Sequence, residues 1–152
     1  MKTFLKIIGA LILLGAVLFG YIFYMGRSRG PEISEQATKF LSLASDFDAE
    51  NAHDFFSDEL KRAVSFEDFA NDIDSYFYRL DFVSQEQTGF YFFIGMPESA
   101  PYNIFKLRRF YEYDGVVTYA RGQEGTINAV FIREDGQWKI LAFDISDPYP
   151  KY

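Results

Sequence analysis

An uninterrupted apolar run, Ile7–Met25, constrains the fold of this chain more than any other feature, because its nineteen residues contain no charge. As an α-helix the run is about 28 Å long, close to the hydrocarbon thickness of about 30 Å of a bilayer. Tyr21 and Tyr24 near its end suit the headgroup region, where amphipathic rings are favoured. The run therefore predicts one transmembrane helix.

A cleaved signal peptide is the alternative interpretation, but it would have an apolar core of about 7–15 residues and a small-residue cleavage site. The longer run here, with no Ala-x-Ala pattern after it, favours a retained signal anchor. Lys2 and Lys6 precede the run and Arg27 and Arg29 follow it, so the positive-inside bias is small. The short basic tail predicts a single-pass protein of the inner membrane with an extracytoplasmic, periplasmic domain.

Four segments are predicted along the chain, and the second is a short linker. Gly26–Pro31 reads GRSRGP, and its glycines and proline are expected to end the helix. Such a linker reaches at most about 20 Å, so it would keep the domain near the bilayer. The predicted segments are residues 1–26 (tail and anchor), 27–31 (linker), 32–147 (α+β domain) and 148–152 (C-terminal tail).

Charge and cysteine content exclude several functions. Once the four basic residues that flank the apolar run are set aside, 11 basic and 22 acidic side chains remain. Such a surface repels phosphate backbones and anionic headgroups, so no nucleic-acid partner is expected. Cysteine is absent, which excludes disulfides, thiolate metal sites and thiol nucleophiles.

Periodicity predicts an α+β fold with helices first and strands second. Apolar residues at three- and four-residue steps indicate helices from Ile33 to Phe47 and from Phe66 to Leu80, the second capped by Ser65. Short helical turns are expected between them, one capped by Ser57. Alternating β-branched and aromatic residues then predict a bent antiparallel sheet of about four strands, near 86–95, 103–120, 125–134 and 137–146, with a bulge at Asp114–Gly115 favoured over a turn.

The tetrapeptide Glu134-Asp135-Gly136-Gln137 predicts a two-residue β-hairpin. Its register pairs Arg133 with Trp138 and Phe131 with Ile140 on one face. On the other face it pairs Ile132 with Lys139, Val130 with Leu141 and Asn128 with Phe143. Both faces are apolar, so the helices are expected to cover one and a cavity, a loop or a second protomer the other. The candidate dimer or partner face is Val130, Ile132, Leu141 and Phe143.

The ending Glu-Asp-Gly-Gln-Trp-Lys-Ile-Leu-Ala-Phe, residues 134–143, resembles the closing hairpin of nuclear transport factor 2-like, cystatin-like cone domains, which include small membrane-anchored bacterial proteins. Residues 113–119 and 125–131 are similar to the penultimate strands of that group. The resemblance covers residues 32–146. It implies a bent sheet around helices enclosing a cone, which relatives use for small apolar ligands or for dimerisation. Some relatives are isomerases or cyclases, but their carboxylate base and donor pair have no matching positions here.

Aromatic side chains at strand spacing are candidates to line such a cavity, although filling a core is their more common use. An arginine in the same region is a candidate partner of an acidic ligand. The candidate cavity contacts are Tyr91, Phe93, Arg109, Tyr111 and Tyr113.

The sequence predicts no catalytic, cofactor-binding or metal-binding residue. His53 is the only histidine, and Asp46-x-Asp48-x-Glu50 lacks the glycine and the final glutamate of a calcium loop. No nucleophile elbow, zinc motif or phosphate-binding glycine loop is present. The leading hypothesis is a membrane-anchored, non-catalytic interaction or ligand-binding module. Its candidate partners are a second copy of the chain, in a homodimer, and other subunits of a membrane complex. The alternatives are an enzyme or carrier for a small apolar molecule in the cone, and a scaffold subunit of an envelope or secretion complex.

Overall fold

The computed structural model describes residues 2–76, 82–95, 108–120 and 122–146. It confirms the predicted α+β class, with one long apolar helix, three short helices and an open antiparallel sheet of four strands within these residues. The elements are α1 (Lys2–Ser45), α2 (Ala49–His53), α3 (Asp58–Ala63), α4 (Phe66–Tyr76), β1 (Phe82–Gly95), β2 (Arg108–Tyr119), β3 (Glu124–Glu134) and β4 (Gln137–Ile145).

Helix α1 continues without a break through Gly26–Pro31, so the predicted interruption of the helix at the linker is wrong. Proline lacks the N–H of a helix interior and normally costs it about 3 kcal/mol. Packing offsets this cost, because β1 lies directly against the same stretch. A Cβ atom at Gly30 would lie 3.5 Å from Gln87 Nε2 and 3.6 Å from Phe90 Cδ1. The apolar run and the domain are therefore joined by a helix and not by a flexible connection.

The short helices begin where the sequence predicts them, because polar side chains cap their first turns. The Ser57 hydroxyl accepts a hydrogen bond from Leu60 N at 3.1 Å. Ser65 accepts one from Asp68 N at 3.1 Å and donates to the Asp68 carboxylate at 2.6 Å. Both arrangements satisfy backbone donors that a helix start leaves open. The predicted end of the last helix, residues 77–80, lies outside the described residues.

The four strands form a meander in which every neighbouring pair is antiparallel, in the order β1-β2-β3-β4. Strand β2 passes through Asp114–Gly115 without a turn, as predicted, but the bulge lies in its neighbour. Gln87 pairs with Gly115 and Gly89 with Asp114, which leaves Thr88 as the extra residue of β1. Residues 103–107 of the predicted second strand and the tail 148–152 lie outside the described residues.

The hairpin forms as predicted, with Asp135 and Gly136 at φ angles of 49° and 81°. Positive φ at both positions is what a type I′ turn requires. The predicted pairs of Arg133, Ile132 and Phe131 with Trp138, Lys139 and Ile140 are confirmed.

Beyond Phe131 the predicted register of the hairpin is wrong by one residue. Val130 pairs with Ala142 and Ala129 with Phe143, because Leu141 is the extra residue of a bulge in β4. Directly before this bulge, the outer edge of β4 is held by the chain after α2. Ile140 N donates to Phe55 O at 2.7 Å, and Ser57 N donates to Ile140 O at 2.8 Å. This long-range pairing has no local signal in the sequence.

The main core lies between the helices and one face of the sheet, the inner face. Phe40 of α1 is 1% exposed, and its ring lies 5.2 Å from Phe143, 6.0 Å from Phe56 and 6.3 Å from Phe69. The three pairs are edge-on, tilted and stacked respectively, and such ring pairs add to the free energy of apolar burial. Aromatic side chains of the described residues thus fill the space between α1 and the sheet.

Replacing Pro31 by alanine tests the continuity of α1. Alanine restores the missing N–H, so Pro31→Ala is expected to stabilise the full chain by about 1–3 kcal/mol in detergent micelles. Pro31→Gly should stabilise it less, since glycine is about 1 kcal/mol less favourable than alanine in a helix. Thermal unfolding followed by circular dichroism measures both. A helix that ended at this position would give no gain, or a loss, from either replacement.

Candidate functional site

Strand β1 runs along α1 in the opposite direction, which fixes the height of the sheet on the helix. Phe82 N donates to Ser45 Oγ at 2.9 Å, and Gln85 Nε2 donates to Ser34 Oγ at 3.0 Å. Phe90 lies beside Gly30. From Ser45 to Gly30 the helix rises about 22 Å, and the matching stretch of strand spans about 26 Å, so the two elements keep in step.

The last residues of β1 reach the level of the apolar run. An open groove between the helix and the strand is lined by Ile22 and Phe23 on one side and by residues 87–93 on the other. The strand rise agrees with this. Phe90 lies beside Gly30, and the three further strand residues to Phe93 span about 10 Å, or about seven helical residues, which places Phe93 beside Phe23. The sheet therefore extends down to the last turn of the run.

The antiparallel order brings two further chain segments to the same end. Strand β2 begins at Arg108, which pairs with Gly95 at the end of β1. Strand β3 ends in the hairpin. Its Phe131 pairs with Tyr111 of β2, so Arg133, two residues further along β3, lies at the same end as Arg108. We call this end, formed by residues 91–95, 108–111 and 131–138, the basal end.

A second open groove, of about 770 Å³, lies at the basal end. Arginines from α1, β2 and β3 converge on it, together with the only tryptophan of the chain. We call it the basal groove; its lining residues are Met25, Arg29, Glu59, Arg108, Arg109, Tyr111, Ile132, Arg133, Glu134 and Trp138.

Tyr111 lies at the centre of this positive charge. Burial raises the pKa of its hydroxyl, and the charges of Arg29, Arg109 and Arg133 act in the opposite direction. The side chain is 5% exposed, and its ring meets Trp138 edge-on at 5.1 Å. The hydroxyl is therefore a neutral donor near three guanidinium groups.

Carboxylates balance part of this charge. Glu59 holds Arg108 through two hydrogen bonds of 2.5 and 2.6 Å, which raise the pKa of the guanidinium. Glu32 accepts from Arg29 at 2.9 Å and from Trp138 Nε1 at 3.0 Å.

Arg109 and Arg133 are exposed, and no carboxylate in the described part of the chain pairs with either. Arg133 donates instead to Gly136 O at 3.2 Å and lies over the Trp138 ring, 5.7 Å from its centre. The groove thus keeps two guanidinium groups that have donors to spare.

The five candidate cavity residues separate into three places. Arg109 and Tyr111 line the basal groove. Tyr113 is fully buried in the main core, where it donates to Gln85 Oε1 and packs edge-on against Phe131. Tyr91 and Phe93, 52% and 41% exposed, lie on the outer face of the sheet. The five residues do not line one cavity.

The candidate partner face is also divided. Phe143 lies in the main core, because the bulge at Leu141 turns it to the inner face. Val130, Ile132 and Leu141 pack with Phe110 as a second cluster on the outer face, and each of these four is at most 5% exposed. The single chain thus already buries this apolar cluster without a second protomer.

The acidic stretch before His53 has a structural use. Asp48 caps α2, accepting from Asn51 N at 3.2 Å and Asn51 Nδ2 at 2.7 Å. The His53 ring packs against Phe56, 5.1 Å away, and Phe69, 5.8 Å away. Both residues therefore support the fold.

Sequence reasoning identified Arg109 and Tyr111 but missed Arg29, Arg133 and Trp138 as their neighbours. The predicted hairpin register already placed Arg133 opposite Trp138, so the sequence alone indicated that these two groove residues are neighbours. Arg29 was assigned to the linker, and only the continuous helix brings it to the groove. Comparison with models of known families and with curated proteins found no match for this chain.

Replacing Glu32 tests the contacts at the groove. The hydrogen bond from Trp138 is the main cause that lowers the pKa of this carboxyl in the folded chain, and Arg29 also lowers it. A lowered pKa stabilises the fold above the unfolded pKa and loses that effect as the pH falls through the folded pKa. Glu32→Gln should therefore lower Tm slightly at neutral pH, because the free energy of unfolding falls by less than about 1 kcal/mol for such an exposed group.

The difference in Tm between wild type and Glu32→Gln should shrink as the pH is lowered below 4.5, the ordinary pKa of a glutamate side chain. Glu35→Gln, one turn further along the exposed side of α1, is the control. A Glu32 effect that did not change with pH would show that the charge is unimportant.

Proposed function

We propose that the protein is a single-pass membrane protein in which Ile7–Met25 is the transmembrane anchor and the domain is a non-catalytic interaction module at the bilayer surface. The observation that carries this is the level of the basal end, beside the last turn of the apolar run. A domain placed there meets the headgroup layer directly. The proposal places the domain on the extracytoplasmic side of the inner membrane.

The continuity of α1 supports a retained anchor. Within the described residues, α1 is the one helix long and apolar enough to cross a membrane, and its apolar window is not buried against the domain. The same helix supplies Ile33, Phe40 and Leu41 to the main core, and Met25 packs against that core as well. Cleavage after the run would cut a helix on whose contacts the sheet depends.

The side chains of the basal end suit a bilayer interface. Tyr91 and Phe93 project from the outer face and line a groove with Ile22 and Phe23 of the helix. Aromatic rings concentrate at the headgroup level of membrane proteins, and arginines there reach toward phosphates. Exposed apolar rings at this end would be unfavourable in water but are favourable in the interface.

The non-catalytic assignment rests on what the described polar groups do. Glu32, Glu59, Asp48 and His53 all have structural contacts, and the interior between α1 and the sheet is filled by aromatic rings. A carrier or enzyme for a small apolar molecule would need that interior open.

Single cysteines test the level of the domain, since the natural chain has none. An environment-sensitive fluorophore on Phe93→Cys in reconstituted vesicles should be quenched by nitroxides on lipid headgroups. The matched control is Val83→Cys, 60% exposed on the same strand. It lies next to the residue that contacts Ser45, about 30 Å of helix above Met25. Equal quenching at both positions would contradict the proposed contact with the bilayer.

Two measurements test anchoring and orientation. The full chain should stay in the membrane pellet after alkaline carbonate extraction. Val83→Cys should react with a membrane-impermeant maleimide in intact spheroplasts. Reaction only after lysis would place the domain in the cytoplasm, and release by carbonate would refute the anchor.

A further inference from the structure

Most arginines in the described part of the domain lie at its basal end. The net charge of −7 predicts repulsion from anionic headgroups. Acidic side chains lie at both ends: Asp46, Asp48, Glu124 and Asp144 at the far end, where α1 stops, β3 begins and β4 ends, and Glu32, Glu59 and Glu134 at the basal end, where each already accepts a hydrogen bond from this chain. The arginines at the basal end are Arg27, Arg29, Arg108, Arg109 and Arg133.

Three of these arginines reach one point from three different elements. Arg29 comes from α1, Arg109 from β2 and Arg133 from β3, and all three line the basal groove together with Tyr111. Continuing the β2–β3 register by two residues from the Tyr111–Phe131 pair sets Arg109 opposite Arg133. Two like charges opposite each other in a sheet repel, and an anion bound between them would relieve that repulsion. The positions therefore point to an anionic ligand.

We propose that the basal groove binds the phosphate of an anionic phospholipid from the bilayer that holds the anchor. Arg109 and Arg133 would supply paired N–H donors, the geometry that matches phosphate oxygens best. Tyr111 adds a neutral hydroxyl donor. This inference rests on the proposed anchoring and names the partner of the basal end.

The position of the groove favours a lipid as the source of the phosphate. Met25, the last residue of the apolar run, lines the groove. The rings of Tyr111 and Trp138, which also line it, offer apolar surface next to the arginines. In a phospholipid, the phosphate lies directly next to the acyl chains. In the groove, the arginines likewise lie directly next to the apolar run. Lipid phosphates are also concentrated at this level, whereas a soluble phosphate would have to compete with them.

Trp138 is the only tryptophan of the chain, so its fluorescence reports on the groove without labelling. The full chain is reconstituted into nanodiscs that contain phosphatidylglycerol and phosphatidylcholine in a fixed ratio. In one sample only the phosphatidylglycerol carries brominated acyl chains, and in the other only an equal amount of phosphatidylcholine does. Because composition is identical, a difference in quenching reports which lipid lies next to Trp138.

Brominated phosphatidylglycerol is expected to quench Trp138 about two- to five-fold more than brominated phosphatidylcholine, given the usual attraction of basic residues to anionic lipid. In Arg109→Gln the ratio should approach one, and Arg109→Lys should keep part of it. Lys39→Gln removes one charge from α1, about 21 Å of helix above Met25, and should keep the full ratio. Arg133 is left unchanged because it touches the reporter ring.

Equal quenching in the wild type, or a bias that survives Arg109→Gln, would overturn the proposal. Loss of the bias when inorganic phosphate is added would assign the site to soluble phosphate and would overturn the lipid source. Circular dichroism of each variant shows whether it is folded. Chain that fails to enter the nanodiscs refutes the anchoring itself, whereas inserted chain without a lipid bias refutes only the lipid site.

Discussion

The packing of β1 along α1 determines where every other part of the domain lies. Phe82, Gln85 and Phe90 contact the helix at three levels, so the strand cannot slide along it without losing these contacts. Each following strand takes its height from the one before, because all neighbours are antiparallel. One helix thus defines both the core and the level of the basal end. The apolar run belongs to the same helix, so its position relative to the sheet is fixed.

The sequence predicted those parts of the fold that depend on local chemistry. Ser57 and Ser65 cap helices, and Asp135-Gly136 forms a turn, because each acts through neighbours within a few residues. Phe143 was placed on the wrong face, since the bulge at Leu141 arises beside a pairing between Ile140 and the chain after α2, about eighty-five residues away. Pro31 was interpreted as a helix end because propensity is local, while the contact that keeps it helical comes from β1.

The basal groove was only partly predictable for the same reason. Arg109 and Tyr111 are two residues apart on one strand, so the sequence alone predicts that they lie on the same face. Arg29 joins them through the continuous helix, and Trp138 through its hydrogen bond to Glu32, a contact between residues 106 positions apart. No pattern within a window of the sequence connects these three elements.

Net charge alone does not decide how the surface proposed to face the bilayer interacts with lipid, because electrostatic influence in salt is short-ranged. The Debye length is about 8–10 Å at physiological ionic strength. The acidic side chains near Ser45 lie about 30 Å of helix above Met25, several screening lengths away. In the proposed arrangement, Arg109 and Arg133 lie at the level of the headgroups, within one Debye length of them. A bilayer at that level would be influenced by the arginines of the basal groove, and by the carboxylates of Glu59 and Glu134 that line it with them, far more than by the acidic side chains of the far end.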